Sequence, residues 1–232
     1  MSLLGHNCHE NANVLGVGLI FGYVLDMTIK SSQNAIDLIV AEEDSSAAYY
    51  AKHYTHMEWP AGASGPTVGI GYDCGYVTVA EMRADWTGIV TDAMIEGMVP
   101  ACGLKGEAAH RFVQAHGSGV TITWDQAMTE FTTRELPKWE FRVESALPNT
   151  ELLSGDSFGA LVSLSYNRGT GGFHDPSPRD VEMRAIVAHM AAKQFNLIPM
   201  EFLRMRRLWP KGGDLWNRRG HEAALFVSGL TP

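Results

Sequence analysis

From residue 31 onward, apolar positions recur at helical spacing in one segment after another. Ser31 or Ser32 can cap a helix expected to run to about Ala51, with Ile36, Ile39 and Val40 as its inward stripe. Thr78 to Glu81 and Thr123 to Gln126 each have the spacing of a capping box, which predicts a helix start at both places. Pro137 is expected to break or kink the second of these helices near Leu136. Ser177 and Pro178 open another helix through Lys193, on which Met183, Ile186, Val187 and Met190 share a side. One segment departs from this rhythm. Val68, Ile70 and Tyr72 alternate with Gly69 and Gly71, the period of a strand. The pattern predicts an α+β fold, helix-dominated, in which a small β hairpin forms one wall of a cleft. With no internal repeat or interdomain linker, residues 31–232 read as one domain behind an N-terminal extension, residues 1–30.

That extension has its own pattern. Val14 to Leu25 is a nearly unbroken apolar run of twelve residues, short of the roughly 17 to 25 that span a membrane. The first basic residue is Lys30 and no small-residue cleavage site follows the run, so neither a signal peptide nor a stable membrane span is expected. Met27 reads as an alternative start just ahead of the first capped helix. His6, Cys8, His9 and Glu10 are metal-binding types, but their spacing imposes no tetrahedral site, and no metal is expected there.

A chain of 232 residues with 45% hydrophobic content can bury one sizeable core. The net charge of −8 argues against a nucleic-acid partner and provides no long-range attraction to an anionic polymer. Arg204, Arg206, Arg207, Lys211, Arg218 and Arg219 crowd the C-terminal end. They read as a solvated or ion-paired surface, with some available to support site carboxylates. Cys8, Cys74 and Cys102 are odd in number and widely spaced, which fits synthesis in a reducing compartment without a disulfide framework. Cys74 reads as a small buried residue.

The chemistry concentrates in Ser64 to Gly75 and in the acidic helix upstream that carries Glu42 and Glu43. Two carboxylates and a hydroxyl are the minimum equipment for cleaving a glycosidic bond, one acid for the leaving oxygen and one base for water. The candidates are Glu43, Asp73 and Thr67. Gly69 and Gly71 strip side chains from one strand face, along which a polymer can lie close to the backbone. In a fully extended strand Thr67 and Asp73 would stand about 20 Å apart, so joint action requires the chain to turn. Glu43 follows Ile36 by seven positions, at the half-sheltered end of the apolar face, where desolvation would favour a protonated general acid. Glu42, about 100° round the helix, reads as solvated. Tyr50, Trp59 and Tyr72 flank the carboxylates, either as sugar-stacking surfaces or as core or cleft-wall residues. Asn167 ends a helix, as a capping residue or a substrate contact. His53 and His56 are three apart and complete no metal site.

Glu43, Tyr50 and Thr67-Val-Gly-Ile-Gly71 together resemble the opening of the phage-type lysozymes. Ala160-Leu-Val-Ser-Leu-Ser-Tyr-Asn-Arg-Gly169 is similar to a helix of that group, and Arg218-Arg-Gly-His-Glu-Ala-Ala-Leu-Phe226 to its terminal helix. The phage pattern places an Asp shortly before the Thr. Here the only carboxylate between Tyr50 and Thr67 is Glu58. In the pesticin-like branch the Asp follows the Thr by six residues, within Ser-Gly-x-Thr-x-x-x-Gly-x-Asp-x-Gly, and Ser64, Gly65, Thr67, Gly71, Asp73 and Gly75 match that arrangement. The resemblance implies a lysozyme-like fold and a muramidase. Such an enzyme cuts the β-1,4 bond between N-acetylmuramic acid and N-acetylglucosamine in peptidoglycan, with Glu43, Thr67 and Asp73 as the catalytic set, inversion at the cleaved bond and no cofactor. The alternatives are a lytic transglycosylase, or a non-catalytic wall-binding module on a decayed lysozyme fold. An enzyme of this kind would be made in the cytoplasm and reach the wall by release or by an export route without a signal peptide.

Overall fold

The Ser32 hydroxyl accepts the Ala35 amide at 3.1 Å and opens helix α1, Gln33–Asp44. Ile36, Ile39 and Val40 are buried along it. The chain is described by a computed structural model over residues 17–20, 23–26, 30–44 and 46–230. His6, Cys8, His9, Glu10 and Met27 lie outside these residues. The single helix expected to reach Ala51 is instead two. Ser46 takes an extended conformation and its hydroxyl accepts the Tyr49 amide at 3.2 Å, which starts α2, Ala47–His53, afresh.

The apolar run near the N-terminus contains β1, Val17–Ile20, and β2, Tyr23–Asp26, paired antiparallel with Val17 opposite Asp26. The glycine segment is likewise folded back on itself. Strands β3, Thr67–Val68, and β4, Tyr72–Asp73, pair antiparallel. They are joined through Gly69 and Gly71, whose φ angles of 59° and 69° lie where glycine alone is unstrained. Val68, Ile70 and Tyr72 all face the core.

Both expected capping boxes are present, at Thr78 with Glu81 and at Thr123 with Gln126. They open α3, Val79–Trp86, and α6, Trp124–Glu130; α4, Asp92–Met98, and α5, Gly106–His116, lie between. Pro137 does not end the helix before it. The chain widens into a π turn over Phe131–Glu135, where the Leu136 amide reaches back five residues to the Phe131 carbonyl, and continues as α7, Leu136–Ala146. Pro137 falls in the first turn of α7, where its missing N–H costs little.

Helix α8, Gly155–Arg168, is buried without interruption from Ser157 to Ser165, the mark of a helix wrapped on all sides. Around it pack α1, α7 and α11, Asp214–Ser228. Helices α9, Val181–Ala191, and α10, Ile198–Met205, extend the bundle against α11. Before α9, residues Pro178–Asp180 form a 3-10 turn, so the regular helix begins later than Ser177 predicts and ends two residues before Lys193. The result is a helix-dominated fold with small antiparallel hairpins. Its core joins residues from Ile36 to Phe226. Lys30 and Ser31 tie the start of this body to α7, their amides donating to the Glu140 carboxylate at 3.1 and 2.8 Å. Among the described residues, no helix is long and apolar enough to cross a membrane.

Candidate functional site

A cavity of about 400 Å³ opens between the end of α1, the segment after α2, and the β3–β4 hairpin. Glu43 stands on one side and Thr67, Val68, Gly69 and Gly71 on the other, with Tyr54, His56, Glu58, Trp59 and Pro60 completing the wall.

The Glu43 carboxylate is held from behind. Its Oε1 accepts from Arg218 Nη1 at 2.7 Å, while its Oε2 faces the hairpin, 3.5 Å from where a side chain on Gly71 would begin. The Tyr166 hydroxyl donates to the Ile70 carbonyl at 2.6 Å and fixes the hairpin at this distance from Glu43. Arg218 and Arg219 are buried, so they are not part of a solvated surface. They share buried Glu222, which also accepts from the Ser163 hydroxyl at 2.8 Å. Burial alone would pull Arg218 down, but Glu43 and Glu222 outweigh it and hold the guanidinium above its ordinary value. Arg219 is pulled down to about 10, chiefly by burial. Burial raises Glu222 against the pull of both arginines.

Two expectations change here. Glu43 comes paired with a cation and not isolated in an apolar pocket, because α11 brings Arg218 beside the end of α1. Glu42 is not solvated: its side chain is 14% exposed against 25% for Glu43, and His221 covers it at 2.7 Å.

On the opposite wall, Glu58, Thr67 and Asp73 stand abreast. Glu58 and Thr67 exchange both backbone hydrogen bonds, at 2.9 and 2.8 Å. Asp73 is directly opposite Thr67 on the other side. The Cys74 amide donates to the Pro66 carbonyl at 2.8 Å, which makes Thr67 and Asp73 a non-hydrogen-bonded pair, about 4.5 Å between Cα atoms instead of 20. The turn that the two residues require is therefore present. The Asp73 carboxylate is seated in backbone amides: Oδ1 accepts from Gly75 at 2.8 Å, and both oxygens accept from Gly65 at 3.1 Å. A Cβ on Gly65 would stand 2.3 Å from Asp73 Oδ1, so only glycine admits this seat. Of the three residues in the row, Glu58 and Thr67 line the cavity, whereas Asp73 stands beyond Thr67.

The flanking aromatics divide. Tyr50 is fully buried, its hydroxyl donating to the Ile122 carbonyl at 3.1 Å and its ring edge-on to Trp124. Tyr72 is also buried, donating to Asp85 at 2.8 Å. Neither presents a ring face for stacking, because Tyr50 lies on the buried side of α2 and Tyr72 on the hairpin's inward-turned side. Trp59 does line the cavity, with its ring stacked on His110 at 4.3 Å and its indole N–H donating to the Ser64 carbonyl at 3.2 Å. Asn167 accepts from Arg219 Nη2 at 3.2 Å, which places it in the network behind Glu43. His56 lines the cavity, whereas His53 stacks on Tyr49. Cys74 is buried, and burial above all pushes its thiol well above the ordinary value, as befits an unreactive core residue.

Sequence spacing did not point to Arg218 or Tyr166 as partners of the Glu43 and hairpin wall. Arg218 belongs to the C-terminal arginine cluster read as able to support site carboxylates, whereas no such signal marked Tyr166. No family model matches this chain, and no curated protein matches it.

Proposed function

We propose that the protein is a peptidoglycan hydrolase of the muramidase type, with the β3–β4 hairpin as one wall of its substrate cleft. The observation that carries this reading is the single cavity that sets Glu43 against a glycine-lined hairpin bearing a row of Glu58, Thr67 and Asp73. A glycan strand lies along the bare backbone of Gly69 and Gly71, where no side chain holds it off. Glu43 acts as the general acid and presents to the leaving glycosidic oxygen its Oε2, the oxygen not taken by Arg218. Asp73 is the base, fixed by the amides of Gly65 and Gly75, and Thr67 orients the attacking water between it and the sugar. This division gives inversion, which needs room for water between carboxyl groups roughly 6.5 to 9.5 Å apart.

A second assignment of the base has one specific observation in its favour. Glu58 flanks Thr67 from the cavity side and lines the cavity itself, whereas Asp73 does not. Mass spectrometry of products from purified peptidoglycan tests the reading as a whole. Reducing-end muramic acid termini are the expected result. Anhydro termini would instead identify a lytic transglycosylase, and no cleavage would identify a wall-binding module.

A further inference from the structure

Apart from the cavity, three acidic side chains from different elements converge on one point. One carboxylate oxygen each from Asp85 on α3, Glu130 at the end of α6 and Glu135 at the end of the π turn lie within 4.8 Å of one another. None of the three lines the cavity. The π turn makes the convergence possible. Residues five apart on an α-helix point about 140° away from each other, and the wider turn swings Glu135 back towards Glu130; such turns concentrate at functional sites.

Two of the three acids are satisfied. Asp85 accepts from the Tyr72 hydroxyl at 2.8 Å and from Lys138 at 2.6 Å. Glu135 accepts from the Trp139 indole at 2.8 Å and lies 3.5 Å from Lys138. Glu130 is the exception. It is 0% exposed, and neither of its carboxylate oxygens has a hydrogen-bond partner among the described residues. Burial, with Glu135 and Asp85 adding to it, pushes its carboxyl well above the usual range against the smaller pull of Lys138 and Arg134, so ionising it here calls for a further cation. Buried carboxylates are ordinarily paired or coordinate a metal.

The geometry points to a binding site for one hard divalent cation of calcium size, held by Asp85, Glu130 and Glu135. An all-carboxylate donor set selects hard cations over the softer transition metals. Calcium, larger and with a flexible shell, accommodates three protein carboxylates, whereas the smaller magnesium dehydrates reluctantly and is usually held by one or two carboxylates with several waters. Three ionised carboxylates near the Arg134 guanidinium leave two negative charges once Lys138 moves out, and one divalent ion neutralises these as Glu130 ionises. Lys138 can give way, since its side chain is 22% exposed and has a route to solvent. Tyr72 and Trp139 then serve as outer donors that orient two of the ligands. The ion would pin β4, α3, α6 and α7 together behind the hairpin, a structural role separate from bond cleavage.

Terbium(III) is a suitable probe, because the Trp139 indole bonded to Glu135 is placed to sensitise its emission. In chelator-treated full-length protein, saturable one-to-one emission is expected, displaced by calcium and at least tenfold less effectively by magnesium. Calcium at a hundredfold excess over its dissociation constant should raise the melting temperature by about 5 °C. Glu130→Gln should abolish both responses, and Lys138→Met, which removes the competing ammonium, should tighten binding severalfold. If Glu130→Gln does not fold, Glu135→Gln takes its place, and the calcium response of the unaltered protein still decides. Absence of any calcium response, or emission that survives loss of Glu130, would overturn the site. Equal responses to magnesium and calcium would overturn the size assignment.

Discussion

Asp73→Asn separates a chemical role for this carboxylate from an architectural one, because asparagine keeps one carbonyl oxygen. Placed where Oδ1 lies, that oxygen still accepts from Gly75 at 2.8 Å and Gly65 at 3.1 Å. Only the second branch from Gly65 to Oδ2 and the negative charge are lost. The difference between charged and neutral hydrogen bonding puts the stability cost at about 1 to 2 kcal/mol. A domain with roughly 5 kcal/mol or more of stability remains over 99% folded after such a loss at 25 °C. Any fall in turnover beyond a few per cent is therefore chemical in origin. If Asp73 is the base, hydrolysis should drop about 10² to 10⁴-fold, measured as reducing ends released from purified peptidoglycan, with circular dichroism unchanged. Glu58→Gln in the same assay should retain most activity. Near-normal hydrolysis by Asp73→Asn, together with a hundredfold loss in Glu58→Gln, would refute the assignment and transfer the base to Glu58.

Three further outcomes follow from the same geometry. Glu43→Gln should preserve fold and wall binding and reduce turnover by about a hundredfold or more, while Glu42→Gln has a mild effect; comparable losses in the two would remove Glu43 as the acid. Gly71→Ala should be nearly inactive and destabilised by about 1 to 2 kcal/mol in urea titration, since φ is 69° and the added methyl meets Tyr166 Oη at 3.2 Å and Glu43 Oε2 at 3.5 Å. A chain starting at Met27 should fold and act like the full chain, because the attachment to Glu140 begins at Lys30; a loss of several kcal/mol would show that the apolar run belongs to the core.

Local chemistry was legible in the sequence wherever it acts within a few residues. Thr78 with Glu81 and Thr123 with Gln126 cap helices because both partners sit in one turn. Ser46 escaped notice since its competing hydrogen bond leaves no mark in the apolar stripe that runs past it. The paired glycines announced that the chain can turn, but alternation alone does not distinguish a strand from a hairpin with its turn at Gly69 to Gly71. For the candidate site, the sequence yielded Glu43, Thr67 and Asp73 as residue types at suggestive spacing. It did not yield the amide seat of Asp73, nor which of Tyr50, Trp59 and Tyr72 belong to the core and which to the cleft. Those depend on which way each side chain turns, and tertiary packing decides that. Pro137 shows the same limit: the sequence gives the missing donor, and only the neighbouring helices decide between a break and a π turn.

The hydrogen bond between Glu43 and Arg218 spans 175 positions of sequence, and that distance sets a timetable. A ribosome delivers α1 early, and domains begin to fold from the end that emerges first. Glu43 nevertheless lacks Arg218 until α11 has left the tunnel and docked on α8. A nascent or prematurely ended chain thus carries the proposed acid without the group that holds it.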